Sequence, residues 1–268
     1  MTLNVCNTKV ESGDSMPDSP PHALVATGLV HHYPGTDQPA VDGLDLTLNE
    51  GEIFGLLGPN GAGKTTTISI LSSILRPQAG TVTVNGLDLD RQKRAVRRII
   101  GLVPQEIALY PMLTTRENLR FFGKLQGLHG ERLRRGIDET LAAVGLATRA
   151  DQPVGTFSGG MKRRANLAVG MLHDPRILFL DEPTVGIDAQ SRQLIMEQIE
   201  ILRDRGTTVL YTTHYMEEAQ RLCSRVAIMD QGRILIQGTV AMLLAQGSGG
   251  SDLGQLFLHL TGKALRDG

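Results

Sequence analysis

The chain has 268 residues, enough for one large domain or two modest ones with a sizeable core. Its 27 basic and 28 acidic residues leave a formal charge of −1, which argues against a general nucleic-acid binder, whose affinity would rest on a surplus of Lys and Arg. Two cysteines, Cys6 in a polar leader and Cys223 in a helical stretch, suggest neither a disulfide framework nor a metal site and fit a reducing compartment.

Residues 1–22 are polar and Pro/Ser-rich without the apolar stretch of a signal peptide, so a disordered tail is expected there. No apolar run approaches the ~20 residues a membrane helix needs, so the chain is expected to be soluble and tied to a membrane only through a partner. From residue 23 to 245 short apolar runs alternate with helical patterns. The runs are "ALVATGLVHHY", "EIFGLLG", "TVTVNG", "IIGLVPQ", "RILFLDE", "TTVLYTTH", "RVAIMD" and "GRILIQG". Several are apolar throughout, as strands buried on both faces of a parallel sheet must be. Helices are expected at Lys64–Ser73, at Asp188–Arg205 behind an aspartate cap, and at Met216–Leu222. The alternation predicts an α/β fold with a mainly parallel sheet. Between Thr114 and about Val144 only helical signals occur, opened by a capping box at Thr114 and Glu117, so residues 106–157 are expected to form an inserted helical subdomain. Residues 246–268 comprise a Gly/Ser joint, "QGSGGSDLG", and a short terminal helix. Basic runs at Lys93–Arg98, Arg132–Arg135 and Lys162–Arg164 read as solvated helix faces.

"GLLGPNGAGKTTT" follows an apolar strand, precedes a helical pattern, and matches G-x-x-x-x-G-K-[ST] from Gly58 to Thr65. Small residues let the N–H groups of Asn60, Gly61, Ala62, Gly63, Lys64 and Thr65 curl around phosphates. Lys64 is then placed to reach the β- and γ-phosphates and Thr65 to ligate Mg²⁺. Pro59 and Thr66 complete the segment. "ILFLDE" ends a buried strand with two carboxylates whose side chains point different ways. Asp181 is placed to hold Mg²⁺ and Glu182 to polarise an attacking water. His214 closes "TTVLYTTH", where it could orient that water or be a satisfied structural histidine. Gln105, at the end of "IIGLVPQ", could complete the Mg²⁺ or water shell. "TFSGGMKRRANLAV" opens a second helix with Ser158, Gly159 and Gly160, half of an anion site whose other half is missing.

Taken in order, "GPNGAGKTT", Gln105, "FSGGM", "ILFLDE", "VGID" and His214 resemble the ATP-binding-cassette ATPases over nearly the whole chain from residue 23. The resemblance implies a P-loop NTPase core with an N-terminal antiparallel β part, and ATP and Mg²⁺ as ligands. It implies a head-to-tail pair of chains in which Ser158, Gly159 and Gly160 of one copy cover the γ-phosphate held by the other. Phe157 and Met161 stand where the most common signature has leucine and glutamine. Tyr33 would stack on adenine, with an edge-strand tyrosine as the alternative. Asp188 would lie at the subunit interface, a role compatible with capping a helix. "EIALYPMLT" is either the surface that docks a membrane partner or a local core. "PTVGIDAQSR" and "THYMEEAQRLC" look like the ATPase subunits of exporters for drugs, antibiotics, polysaccharides or lipids. There the permease is a separate polytopic chain and the ATPase sits on the cytoplasmic face of the membrane. A soluble cassette ATPase of the cluster-assembly type and a nucleotide-binding regulator without turnover are the alternatives.

Overall fold

The structure, a computed structural model, describes residues 21–246 and 252–261. The leader to residue 20, the expected joint at 247–251 and the part of the expected terminal helix from residue 262 lie outside the described residues. His22, which the expected tail included, pairs with Asn49 in the first strand, and the tail to residue 20 lies outside the described residues.

In chain order the strands are β1 (His22–His31), β2 (Val41–Asn49), β3 (Ile53–Leu57), β4 (Ala79–Val84), β5 (Leu87–Asp88), β6 (Ile100–Val103), β7 (Ile177–Asp181), β8 (Thr208–Thr213), β9 (Arg225–Asp230) and β10 (Arg233–Thr239). The helices are α1 (Lys64–Leu71), α2 (Lys93–Ile99), α3 (Thr115–Leu125), α4 (Gly130–Ala143), α5 (Gly159–Met171), α6 (Ala189–Asp204), α7 (Met216–Leu222), α8 (Val240–Gln246) and α9 (Leu253–Thr261). An antiparallel sheet runs β2-β1-β4-β5, and a six-stranded sheet runs β10-β9-β3-β8-β7-β6, parallel except at β10. β2 was not among the expected strands: Gly43, Asp42 and Asp45 disfavour a strand, yet Leu44, Leu46 and Leu48 alternate inward with period two.

Every residue of β3, β7 and β8 is buried. Alternation splits their side chains between two cores. Phe54, Leu56, Phe179 and Leu210 face the antiparallel sheet together with Ile68 of α1. Ile53, Leu57, Leu178, Leu180 and Tyr211 face the helices α5, α6 and α7. Each such side chain contributes about 1.5–3 kcal/mol of transfer free energy. α3 opens with the full capping box: Glu117 N donates to Thr114 Oγ1 at 3.1 Å, and Thr114 N to Glu117 Oε2 at 2.9 Å. α3 and α4 stand apart from the sheets, and α5 bridges them to β6. α9 buries Leu253, Leu256 and Phe257 against the second core, and Leu253 N donates to Gln220 of α7 at 3.2 Å.

What matters for function is the sheet order. β3, β8, β7 and β6 are consecutive neighbours and parallel, so the segments leaving their C-terminal ends emerge side by side. In open α/β sheets that edge is where ligands bind.

Candidate active site

The loop after β3 is the Gly58–Thr65 segment, and it closes into α1. Gly63 has φ 105°, and a Cβ there would collide with the carbonyl of Ala40, so only glycine fits. His214 follows β8, Asp181 ends β7 with Glu182 next after it, and Gln105 lies just past β6. A cavity of about 550 Å³ opens at this edge, lined by residues 60–66, Gln105, Glu182, Val185, His214, Tyr215, Ala40 and Tyr33.

Inside it the charged groups satisfy one another. Lys64 Nζ lies 3.0 Å from Glu182 Oε1, both side chains almost wholly buried. The same ammonium donates to the carbonyls of Gly58 at 2.8 Å and Pro59 at 3.1 Å. Glu182 Oε2 is 3.3 Å from His214 Nδ1, a contact without hydrogen-bond alignment that leaves that nitrogen otherwise unpartnered. Glu182 is held at φ 46°, a left-handed backbone unusual for a side chain of this size. Tyr215 packs on the imidazole with ring centroids 4.2 Å apart, and Arg192 of α6 sits 5.4 Å above the Tyr215 ring.

Asp181 is buried behind the loop. Burial pushes its carboxyl above the ordinary carboxylate range, and hydrogen bonds from Thr212 and Thr65 pull it partly back. Among the described residues no group of three or more His, Cys, Asp or Glu could hold a metal by itself. The donor set here is instead one carboxylate, a hydroxyl beside it and a nearby amide, all oxygens. That suits Mg²⁺, which is commonly bound through one or two carboxylates together with substrate phosphates. Tyr33 is part-exposed at the cavity mouth, with its hydroxyl 3.4 Å from Thr66 Oγ1.

Ser158, Gly159 and Gly160 are not brought to this cavity. Ser158 caps α5, its Oγ accepting from Met161 N at 3.3 Å, and Ser158 and Gly159 face solvent. Gly160 is buried against the start of α6: a Cβ there would overlap Ser191 Oγ and lie 2.7 Å from Asp188 Oδ2. Asp188 caps α6 by accepting from Ser191 N at 2.8 Å. One turn into α5, Arg163 donates to the Gln105 carbonyl, with Asp181 and Glu182 close enough for their charges to act on it. "EIALYPMLT" leaves Met112 and Tyr110 exposed, and Tyr110 packs edge-on to Phe121 at 5.1 Å. Thr212, Arg163, Tyr215 and Arg192 lie within the quoted segments, but the sequence assigned them no role at the site; the sheet order and the packing of α5 and α6 bring them there.

A strand-end cavity with a phosphate-type loop, a buried lysine and a carboxylate–histidine pair defines a nucleotide-hydrolysing P-loop domain. The ABC transporter family profile matches residues 41–185. The chain is 50% identical over 210 residues to the linearmycin resistance ATP-binding protein LnrL of Bacillus subtilis, covering 78% of this chain and 67% of that one. It is 43% identical to the daunorubicin/doxorubicin resistance ATP-binding protein DrrA of Streptomyces peucetius, over 91% of this chain and 73% of the relative. It is 45% identical to the Nod factor export ATP-binding protein I of Paraburkholderia xenovorans, over 86% and 75%. An ATP-binding subunit of an ABC transporter superposes with a TM-score of 0.81 at 29% identity, over 89% of this chain and 99% of that one. A dimeric post-hydrolysis cassette, MJ0796 bound to ADP and Pi, superposes at 0.74 with 25% identity over 81% and 98%. The chain therefore belongs to the ABC transporter family, as one of its ATP-binding, ATP-hydrolysing subunits.

Proposed function

We propose that two copies of this chain close head to tail around two ATP molecules and drive a separate polytopic permease that exports a drug or a Nod-factor-like compound. The cargo class rests on the drug-resistance and Nod-factor-export names of the relatives. The observation that carries the closure is the separation of parts within one chain. Lys64, Glu182 and His214 share a cavity, while the capped start of α5 lies outside it, with Ser158 and Gly159 facing solvent and Gly160 buried against α6.

In this scheme Lys64 leaves Glu182 for the β- and γ-phosphates, and the N–H groups from Asn60 to Thr65 surround them. Tyr33 stacks on adenine at the cavity mouth. Glu182, freed from Lys64, accepts a proton from the attacking water, and His214 holds the γ-phosphate side of that water. Ser158, Gly159 and Gly160 of the second copy donate to the γ-phosphate from the opposite side. Thr65, Asp181 and Gln105 would hold Mg²⁺, which would supply neutralisation of the charge developing on the phosphates.

Among the described residues no helix is long and apolar enough to cross a membrane. In the proposed assembly the chain attaches to the cytoplasmic face through the permease, and exposed Tyr110, Met112, Phe121 and Leu125 on and before α3 offer it an apolar surface. Two measurements test the scheme. A polytopic membrane protein should co-purify from detergent-solubilised membranes, and its consistent absence would favour a soluble cassette ATPase. Turnover per molecule should rise with protein concentration; a rate independent of concentration down to dilute monomer would overturn the shared site.

A further inference from the structure

The two carboxylate residues at the end of β7 are tied to a single hydroxyl on the neighbouring strand. Thr212 of β8 is fully buried, and the parallel register sets it opposite Asp181. Its Oγ1 accepts from the backbone N–H of Glu182 at 3.0 Å and lies 2.7 Å from Asp181 Oδ1. The hydroxyl has one proton, and the Leu180 carbonyl, the other acceptor within reach, is farther at 3.4 Å. The proton therefore goes to the charged oxygen, where the bond is stronger. Both capacities of the group are spent on the two residues whose placement decides the site.

Each bond constrains something specific. Asp181 is hydrogen-bonded to Thr212 behind and Thr65 in front, so its carboxylate cannot rotate away from the Thr65 hydroxyl without losing one of them. Glu182 sits in the left-handed region, a conformation that persists only where surroundings over-determine it. That backbone turns its carboxylate toward Lys64 and His214. Leu56 and Leu180 on the neighbouring strands are apolar, and the hydroxyls of Tyr211 and Thr213, which flank Thr212 on β8, go to Glu218 of α7 instead.

We infer that Thr212 is a positioning residue: its hydroxyl aims Asp181 at the cation position beside Thr65 and locks the backbone that presents Glu182. The inference rests on the proposed assignment of Asp181 to Mg²⁺. It separates from ordinary packing by a pair of substitutions with opposite expectations. Thr212→Val keeps the volume and removes the hydroxyl, whereas Thr212→Ser keeps the hydroxyl and opens a methyl-sized gap. Packing alone would make the valine variant the milder; positioning makes the serine variant the milder.

The test is calorimetric titration of the full chain with ATP, in Mg²⁺ and in EDTA, so that binding is read without turnover. Wild type should bind ATP more tightly in Mg²⁺, and Asp181→Asn should abolish that gain. Thr212→Val should bind in EDTA within about twofold of wild type. Its Mg²⁺ gain should fall about tenfold or more, the span expected when a hydrogen bond to a charged group is lost. Thr212→Ser should keep the gain. Should Thr212→Val not fold, Thr212→Ala replaces it with the same expectation against the serine variant. A full Mg²⁺ gain in the valine or alanine variant, or an equal loss in the serine variant, would overturn this inference alone. A wild-type chain without any Mg²⁺ gain would overturn the cation assignment and this inference with it.

Discussion

Glu182→Gln probes both the resting contact and the chemistry. At rest Lys64 and Glu182 form a buried pair at 3.0 Å, and on the proposed scheme nucleotide must break it before Lys64 can meet phosphate. Removing one partner of a buried pair typically destabilises by about 3–5 kcal/mol, because the other charge is stranded. Glutamine retains an oxygen that can accept from the ammonium, and the Gly58 and Pro59 carbonyls still do so, so an effect below that range is expected. With about 1–2 kcal/mol of resting stabilisation gone, ATP should bind roughly 5–30-fold more tightly than to wild type. The nucleotide-free variant should melt lower, by about 2–4 °C for each kcal/mol lost, and regain more on adding ATP. Turnover should fall about 10²–10⁴-fold with the loss of the general base, so that size-exclusion chromatography in ATP finds an accumulated dimer. Titration calorimetry in EDTA reads the affinity apart from metal and catalysis. An ATP affinity equal to or weaker than wild type, with unchanged melting, would refute the idea that the ion pair competes with nucleotide. A near-normal hydrolysis rate would refute Glu182 as the base.

Lys64→Ala should weaken ATP binding about 10–100-fold, as loss of a charge-assisted hydrogen bond implies; unchanged affinity by calorimetry would count against the phosphate loop. Gly160→Ala should destabilise the single chain, because its methyl group would enter the Ser191 and Asp188 side chains. Gly159→Ala should leave melting unchanged, since its nearest atom is Gly186 O at 3.8 Å, yet still lower turnover by obstructing the facing copy. Equal melting losses in the two variants would remove the distinction. His173 donates through Nε2 to the Ile100 carbonyl at 2.9 Å, and burial lowers its pKa below the ordinary 6.5. The folded state thus binds fewer protons than the unfolded one, so stability is complete above pH 6.5 and declines as pH falls through that value toward the folded pKa. Melting curves of wild type against His173→Gln, which retains a donor for Ile100, should diverge on acidification; parallel curves would sink this assignment.

The family and the fold class were legible in the sequence because they are written locally. A phosphate loop announces itself through small residues ahead of Lys64, and buried parallel strands through unbroken apolar runs such as "ILFLD". The capping box at Thr114 and the Asp188 cap are contacts across three residues, and their geometry matches what the spacing implies. What stayed hidden depends on sheet order. Thr212 is one threonine among several in a β strand until β8 is placed between β3 and β7. Arg163 looks like part of a solvated basic run, but its guanidinium reaches back to Gln105 and lies partly buried. β2 was missed because its aspartates and glycine obscure the alternation that buries Leu44, Leu46 and Leu48.

The division of the site also explains why the resting chain is quiet toward its own charges. Within one copy the buried cation Lys64 and the buried anion Glu182 cancel, so the cavity offers nucleotide little net field until the pair opens. The donors at the start of α5 are in the opposite condition. Ser158 caps the N–H of Met161, and the two residues between lie at the helix terminus, where N–H groups have no intrahelical partner. Gly160 presses that terminus onto the start of α6 through Asp188 and Ser191, and Arg192, the next residue of α6, stands over Tyr215 beside His214. On the proposed pairing, a phosphate that engaged α5 of one copy would push on elements that reach the histidine of that same copy's own cavity. On that pairing the packing from Gly160 through Asp188, Ser191 and Arg192 to Tyr215 would link contact at one site to the other.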